Sequence, residues 1–239
     1  MLFDATDGRP LAVMDSMAIT TLRTAASSAV AASFLARADA RTATFVGCGV
    51  QARAHVAALS AVRELRKVFV FDRDKEKEAA FVDEMRALQS FEIQRAVDLR
   101  QATTASDIVV TTTSSTKAFL GIGDISPGTF VAAVGADNEH KQEIEPALMR
   151  SSVVVVDDID QCAKIGDLHH AIEAGFTSPT GVRATLDQVV AGGKPGRLNE
   201  DEIIVFDSTG VAIEDVAAAS TVFERALAGR AGATINLGD

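Results

Sequence analysis

The sequence contains no tryptophan, no tyrosine and only two cysteines. Cys48 and Cys162 form neither a CxxC pair nor a disulfide framework, which is typical of a protein from a reducing cytoplasm. No apolar run approaches the roughly 18 to 20 residues of a membrane span. The N-terminus also lacks the basic and apolar regions of a secretory signal. We therefore expect a soluble cytoplasmic protein with no membrane partner.

Positive charge is also scarce. There are 23 lysines and arginines against 33 aspartates and glutamates, a net charge of −10. Such a chain repels nucleic acid and anionic membranes, so we expect a small-molecule or protein partner. Its 239 residues, 47% of them hydrophobic, suffice for one large domain or for one standard domain with part of a second.

From residue 42 onward, short β-branched runs alternate with helical patterns. This alternation predicts an α/β fold in which helices cover both faces of a doubly wound parallel sheet. The predicted strands are Thr42–Gly47, Val68–Asp72, Glu92–Ala96, Asp107–Thr113, Thr129–Gly135, Val153–Asp157 and Ile203–Asp207. Among the predicted helices are residues 73–89 and the Ala-rich Val211–Arg230.

The first 41 residues do not share that alternation. Turn residues between Met1–Phe3 and Leu11–Met14 predict a β-hairpin, and a helix is predicted from Ile19 to Ala36. Two strands and one helix cannot bury a core by themselves. We therefore interpret residues 1–41 as the remnant of a partial second domain, toward which the segment 211–239 returns.

A glycine-rich loop follows the first predicted strand and opens a helix. It reads Gly47-Cys48-Gly49-Val50-Gln51-Ala52. In this context the first glycine permits a tight turn, the second lets the backbone approach a pyrophosphate, and the small third residue allows close packing. The motif predicts a Rossmann-type dinucleotide-binding domain over residues 42–210, with Gly47, Gly49, Val50, Gln51 and Ala52 as cofactor contacts. Cys48 has no evident paired base and is interpreted as a small filler.

Asp72 ends the second predicted strand, where a carboxylate is expected to accept the adenosine ribose hydroxyls. Because it would repel a 2′-phosphate, NAD is favoured as the cofactor. Arg73 keeps NADP as the alternative, since an arginine there can stack on adenine or pair with that phosphate. A solvated first-turn arginine is an equally compatible interpretation.

Several segments, taken together, resemble the ornithine cyclodeaminase/mu-crystallin family. They are Thr20–Ala26, Phe45–Arg53, Val134–Asp137, Lys141–Glu143, Val156–Asp158, Phe206–Gly210 and Glu214–Asp215. The resemblance implies the chemistry shared by ornithine cyclodeaminases, archaeal-type alanine dehydrogenases and ketimine reductases. That chemistry is hydride transfer between a nicotinamide and the α-carbon of an amino acid or its imine. The family pattern has a longer N-terminal portion, so the chain is identified as an N-terminally incomplete member.

The resemblance also assigns roles to residues. It places the substrate-carboxylate arginine on Arg23, for which the alternative is a helix-edge arginine that reaches outward. It places acid/base work on Asp137, for which the alternative is a turn or N-cap aspartate. The neighbouring Asn138-Glu139-His140 departs from the Cys-Pro-Gly of ornithine cyclodeaminases, which leaves the amino acid open.

The resemblance further implies contacts with the nicotinamide end of the cofactor. These are expected from Thr111, Thr112, Thr113, Ser208 and Gly210. The threonines could instead cap a strand end, and Ser208 or Thr209 could N-cap the terminal helix. No metal site is expected. His169 and His170 lie on a predicted helix without metal-ligand spacing and are interpreted as a solvated pair.

The leading hypothesis is an NAD-dependent oxidoreductase or cyclodeaminase that acts on an L-amino acid or cyclic imine. A non-catalytic, mu-crystallin-like NAD(P)-binding protein is the alternative, because an incomplete substrate pocket cannot position reactants. An unrelated Rossmann enzyme is disfavoured by the Arg23 and Ser208–Gly210 segments. The family usually dimerises through the domain mostly absent here, so a homodimer is left open.

Overall fold

The computed structural model describes residues 1–235 and is built around one long parallel sheet. The strands are β1 Leu2–Phe3, β2 Pro10–Ala12, β3 Thr42–Val46, β4 Lys67–Phe71, β5 Glu92–Arg95, β6 Ile108–Thr111, β7 Thr116–Leu120, β8 Phe130–Ala133, β9 Gln142–Ile144, β10 Val153–Val156, β11 Ala184–Thr185 and β12 Ile204–Asp207. The helices are α1 Ser16–Leu35, α2 Val50–Val62, α3 Lys75–Leu88, α4 Leu99–Thr104, α5 Pro146–Ser151, α6 Ile159–Ile165, α7 Asp167–Glu173, α8 Leu186–Val190 and α9 Ala212–Gly229.

The main sheet has eight strands in the order β11-β10-β12-β8-β6-β3-β4-β5, and every neighbouring pair is parallel. The strand order reverses between β3 and β6, which is where ligands bind in open α/β sheets. The predicted doubly wound, Rossmann-type sheet is confirmed. All seven predicted strands are present in it.

The predicted strands were too long at their ends. The first stops at Val46 instead of Gly47, the fourth covers only Ile108–Thr111, and the fifth only Phe130–Ala133. The physical reason is that small and β-branched residues continue past the last ladder hydrogen bond. There the chain leaves the sheet to form the loops of the ligand-binding edge. Gly47 illustrates this, because its φ of +98° turns the backbone out of the strand.

Two strand pairings were not predicted. β7 and β9 form a separate two-stranded parallel sheet, and β11 adds a short edge strand beside β10. β7 is largely exposed or half-buried, so it lacks the alternation that marks a strand packed on a core.

Apolar side chains cover both faces of the main sheet. On one face Phe45 of β3 and Phe130 of β8 are fully buried in one cluster with Phe81 of α3. On the other face the buried side chains include Leu148 and Met149 of α5 and Leu168 of α7. Burying such a side chain stabilises the fold by about 1.5–3 kcal/mol, so these two layers hold the helices against the faces of the sheet.

The N-terminal segment forms the predicted antiparallel hairpin, β1 with β2, followed by α1. The helix begins at Ser16 rather than Ile19, because the Asp15 side chain accepts a hydrogen bond from the Met17 N–H and caps it. Ala31 and Leu35 in the second half of α1 are fully buried in the core of the main sheet. The proposed domain boundary at residue 41 stays a prediction.

The terminal helix α9 contacts α1 and β1, and none of its residues is buried. It lies within the predicted helix Val211–Arg230. That α9 returns to a substrate domain stays a prediction, and residues 236–239 of the predicted segment lie outside the described residues. Within residues 1–235, no helix is both long and apolar enough to cross a membrane.

Candidate functional site

The glycine loop forms the turn between β3 and α2. The Gly47 N–H donates to the Phe71 carbonyl oxygen at 2.8 Å, and a Cβ on Gly47 would lie 3.0 Å from the Thr112 carbonyl oxygen. Only glycine therefore fits this turn. At Gly49, by contrast, a Cβ would meet nothing within 4 Å. Gly49 is the N-cap of α2 and makes no side-chain cap, so it leaves the first amides of the helix without a side-chain acceptor at this position.

Asp72, which follows β4, braces this loop. One carboxylate oxygen accepts a hydrogen bond from the Cys48 N–H at 2.8 Å, and the other accepts from the Asp74 N–H at 2.9 Å. A carboxylate has about four acceptor positions, so Asp72 retains capacity for a ligand hydroxyl. Burial, reinforced by the Asp72 charge, raises the pKa of the Cys48 thiol to about 12, which fits the interpretation of Cys48 as a filler.

A cleft of about 690 Å³ opens between the glycine loop and the loops after β4 and β6. This volume lies in the range of about 300–1,000 Å³ that is typical of small-molecule sites. Its cationic lining residues are Arg73, Lys77, Lys117 and Lys141. Two carboxylates, those of Asp72 and Asp74, also line the cleft, so four positive charges face two negative ones. In a chain with a net charge of −10, this local excess of positive charge favours an anionic ligand.

The predicted threonines, called here the threonine wall, follow each other beside the glycine loop, with Thr112 next to Gly47. Thr112 and Thr113 line the cleft, and the buried Thr112 hydroxyl has no hydrogen-bond partner among the described residues. The Thr111 hydroxyl is turned away from the cleft and donates to a buried glutamate, Glu143, at 2.5 Å. Thr111 is therefore a structural anchor, whereas Thr112 and Thr113 line the cleft.

Glu143 is the residue that sequence reasoning missed as a functional group. It is fully buried and accepts hydrogen bonds from the Thr111 hydroxyl (2.5 Å), the Thr113 N–H (2.7 Å), the Thr113 hydroxyl (2.6 Å) and the Gly135 N–H (2.8 Å). Burial raises the pKa of Glu143. Because Gly135 lies two residues before Asp137, this one carboxylate fixes both the threonine wall and the loop that carries the predicted acid/base residue.

Asp137 lies in an exposed turn after β8. Its side chain is 55% exposed and accepts a salt bridge from the Lys141 ammonium at 2.8 Å. Lys141 lines the cleft, so the pair is at its rim. The N-cap interpretation of Asp137 is wrong, because the next element is the strand β9 rather than a helix. The turn interpretation holds.

Arg23 is on α1 and points inward instead of reaching outward, so the helix-edge interpretation is wrong. Its side chain is 14% exposed, and its guanidinium binds Glu214 at 3.1 Å and Asp215 at 3.2 Å, both in the first turn of α9. It lines a second, larger cavity of about 1,250 Å³ among α1, α2, α8 and α9. Arg23 and the glycine loop therefore line different cavities.

The Ser208–Gly210 segment connects β12 to α9. The N-cap interpretation is wrong, since α9 begins at Ala212 and its N-cap residue, Val211, makes no side-chain cap. Instead the Ser208 hydroxyl, the Thr209 hydroxyl and the Gly210 N–H all donate to the Asp157 carboxylate. Gly210 has a φ of +81°, and a Cβ there would overlap the Arg23 guanidinium, so this glycine allows Arg23 to pack against the backbone.

Among the loop residues, Ala52 is fully buried, which fits its predicted packing role, whereas Val50 is 65% exposed. The side-chain oxygen of Gln51 is buried without a partner among the described residues. Gln51 does not line the cleft, whereas Thr112 does.

A line of buried carboxylates runs from the cleft toward β12. Asp167 accepts from the Glu143 N–H at 2.8 Å and the Ile144 N–H at 2.9 Å, and Asp207 accepts from the Leu168 N–H at 2.8 Å. The side chains of Glu143, Asp167 and Asp207 are all fully buried. Desolvation raises their pKa values, in the case of Asp207 to about 7.

His169 and His170 lie on α7, as predicted, but they are not a solvated pair. Both are half-buried, and one ring nitrogen of each contacts a backbone carbonyl, that of Ala163 for His169 and that of Lys141 for His170. The sequence pattern misses these contacts because both acceptors lie outside α7.

Comparison with known proteins adds independent findings. A model described as the ornithine cyclodeaminase/mu-crystallin family matches residues 1–230. An uncharacterized cyclodeaminase of Sinorhizobium fredii is 41% identical over 215 residues, which are 90% of this chain and 65% of that relative. The chain thus spans less than two thirds of that relative's length.

Two solved structures superpose closely on the chain. An archaeal alanine dehydrogenase dimer with bound NAD has a TM-score of 0.94 and 35% identity, covering 99% of this chain and 73% of that one. The Δ1-pyrroline-2-carboxylate reductase of Thermococcus litoralis, in complex with NADH and L-proline, has a TM-score of 0.94 and 34% identity, covering 98% and 72%.

Proposed function

This chain belongs to the ornithine cyclodeaminase/mu-crystallin family, and we propose that it catalyses hydride transfer between NAD and the α-carbon of an L-amino acid or cyclic imine. The observation that carries the proposal is the cleft at the reversal of strand order. It combines the glycine turn, the uncapped start of α2 and a cationic lining. The similar structures with NAD and NADH support the same cofactor.

The residues of the cleft fit a dinucleotide. Open space above Gly49 leaves room for a pyrophosphate on the amides of α2, and the unpartnered hydroxyl of Thr112, a residue that lines the cleft, remains for a polar contact. We place the adenosine ribose at Asp72, which favours NAD over NADP because a carboxylate repels a 2′-phosphate. When bound, the nicotinamide supplies or accepts the hydride.

We assign proton transfer to Asp137. Its exposed carboxylate can exchange a proton with the substrate nitrogen or with an attacking water, and the Lys141 ammonium at 2.8 Å holds it at the rim of the cleft. We assign the substrate carboxylate to Arg23. Glu214 and Asp215 occupy two of the five N–H donors of its guanidinium, so three remain for a ligand.

The experiment follows NADH absorbance and ammonia release with alanine, ornithine and Δ1-pyrroline-2-carboxylate. Consumption of NADH with the cyclic imine indicates a reductase. Ammonia release from ornithine without net NADH change indicates a cyclodeaminase. Asp137→Asn should abolish either activity. Arg23→Lys should raise KM for the substrate, whereas Arg225→Lys, in the same cavity, is the matched control.

A second candidate function is a non-catalytic NAD-binding protein. The observation that favours it is that the chain's own carboxylates pair with both Arg23 and Lys141. Saturable NADH binding without turnover of any of these substrates would support this function. Turnover that depends on Asp137 would exclude it.

A further inference from the structure

Three potential metal ligands converge on α7, outside the cleft and the second cavity. His169, His170 and Glu173 each offer one nitrogen or oxygen atom, and these atoms lie within 4.8 Å of one another. His169 and Glu173 are separated by one helical turn, and the His169 Nε2–Glu173 Oε2 distance is 3.5 Å. Neighbouring ligand atoms of a tetrahedral zinc site, about 2.1 Å from the metal, lie about 3.4 Å apart.

Backbone carbonyls set the tautomers of both imidazoles. His169 Nδ1 lies 3.2 Å from the Ala163 carbonyl oxygen, and His170 Nε2 lies 2.9 Å from the Lys141 carbonyl oxygen. A carbonyl only accepts, so each contacting nitrogen carries its hydrogen. The lone pairs are therefore on Nε2 of His169 and Nδ1 of His170. Histidines that bind metals are normally held in this way through their other nitrogen.

The cluster is also accessible to an ion. The Glu173 side chain is 67% exposed, so solvent can deliver an ion to it, whereas that of His169 is 20% exposed and contacts the Ala163 carbonyl oxygen. The alternative, a simple surface ion pair between His169 and Glu173, is worth only about 0–1 kcal/mol. It would also leave unexplained why one ring nitrogen of His170 lies within 4.8 Å of the ligand atoms of His169 and Glu173.

We propose that His169, His170 and Glu173 bind one divalent transition-metal ion, with Zn²⁺ as the best match. Two imidazole nitrogens and one carboxylate oxygen suit zinc, with water in the fourth position, whereas Mg²⁺ and Ca²⁺ prefer all-oxygen sites. Through the His170–Lys141 hydrogen bond, the ion ties α7 to the loop that carries the Asp137–Lys141 pair.

The test is calorimetric titration of the tag-free chain with Zn²⁺, together with Co²⁺ absorption spectra that report nitrogen and oxygen coordination. We expect one ion per chain. His169→Gln, His170→Gln and Glu173→Gln should each weaken binding by at least about tenfold, as loss of ligand-site support does elsewhere. Circular dichroism in EDTA shows whether each variant is folded before metal is added.

The matched control is His140→Gln. His140 is 81% exposed and lies 3.6 Å from Glu139, so it is a second histidine–glutamate pair, but it is outside the cluster. It should bind Zn²⁺ as the unmodified chain does. Absence of saturable binding, equal weakening in His140→Gln, or one ion shared between two chains would overturn the proposal. None of these outcomes bears on hydride transfer, so this site and the proposed function fail independently.

Discussion

At the scale of single residues, the site depends on buried carboxylates that act as hydrogen-bond acceptors. Glu143 receives four hydrogen bonds from the threonine wall and from Gly135, and a Cβ on Gly135 would overlap its carboxylate. A glutamate in a segment such as Lys141–Glu143 looks like a surface charge in the sequence. Only its contacts with Thr111 at the end of β6 and with Gly135 after β8 reveal that it is enclosed.

Replacing Glu143 by glutamine should therefore loosen the cleft wall. The amide nitrogen of glutamine is a donor and would face other donors, so the free energy of unfolding should fall by about 1–3 kcal/mol. NADH should also bind more weakly, because Thr111 and Thr113, on either side of Thr112, lose a hydrogen-bond acceptor. Urea unfolding and NADH titration measure the two effects.

Glu139→Gln is the control for this prediction. Glu139 is four residues earlier and its side chain is 63% exposed, so its substitution should change neither quantity. Equal stability and equal NADH affinity in Glu143→Gln and the unmodified chain would contradict a positioning role for Glu143.

At the scale of elements, the strand–loop–helix unit β3–α2 was predictable, because its signals are local. The apolar run, the two glycines and the small Ala52 all lie within about a dozen consecutive residues. They indicate a strand, a tight turn and a closely packed helix start, respectively. The pairing of β7 with β9 was not predictable. It depends on contacts between Thr116–Leu120 and Gln142–Ile144, which are distant in sequence and only partly apolar.

The two glycines of the loop provide an element-scale prediction. Gly47→Ala places a Cβ 3.0 Å from the Thr112 carbonyl oxygen at a φ of +98°, so both folding stability and NADH binding should suffer. The expected loss of stability is at least about 1 kcal/mol. Gly49→Ala meets nothing within 4 Å in the protein and should leave the stability nearly unchanged.

Gly49→Ala should nevertheless weaken NADH binding strongly, because its methyl group occupies the space proposed for the pyrophosphate. Thermal unfolding with and without NADH separates the two variants. If Gly49→Ala binds NADH as tightly as the unmodified chain, the pyrophosphate does not lie over this loop.

The terminal segments show the same contrast between local and distant signals. The extent of α9 was predicted to within one residue at each end from its alanine-rich pattern, but the interpretation of Ser208 or Thr209 as its N-cap was wrong. Ser208 and Thr209 are residue types that favour N-caps, yet Asp157 on the neighbouring strand end attracts both hydroxyls, and the helix begins at Ala212. A partner from another element overrides the local preference.

At the scale of the whole molecule, the buried acids make stability depend on pH. The pKa of Asp207 is raised by burial to about 7, against an unfolded value of about 3.9. Between these values the folded state binds more protons than the unfolded state. The stability due to this group is therefore fully present below about pH 4 and is lost as the pH rises toward 7. The raised pKa values of Glu143 and Asp167 act in the same direction.

We expect the free energy of unfolding to decrease between pH 5 and pH 7, and the decrease to be smaller in Asp207→Asn. The quantity to compare is the slope of the free energy of unfolding against pH, because the asparagine amide in Asp207→Asn also lowers stability at every pH. Asp74→Asn is the control. Asp74 caps α3, and its pKa is lowered by hydrogen bonds from the Lys77 and Glu76 N–H groups, so its contribution changes only below about pH 4. Parallel slopes in all three proteins would contradict the assignment.

Isotope transfer shows whether hydride moves between NAD and an α-carbon. The chain is incubated with NADH carrying deuterium at both C4 positions and with Δ1-pyrroline-2-carboxylate or an equivalent cyclic imine. The amino-acid product is then analysed by mass spectrometry. We predict one deuterium on the α-carbon, and none with Asp137→Asn. Saturable NADH binding without α-deuterium in any product would contradict hydride transfer and favour the non-catalytic binding function.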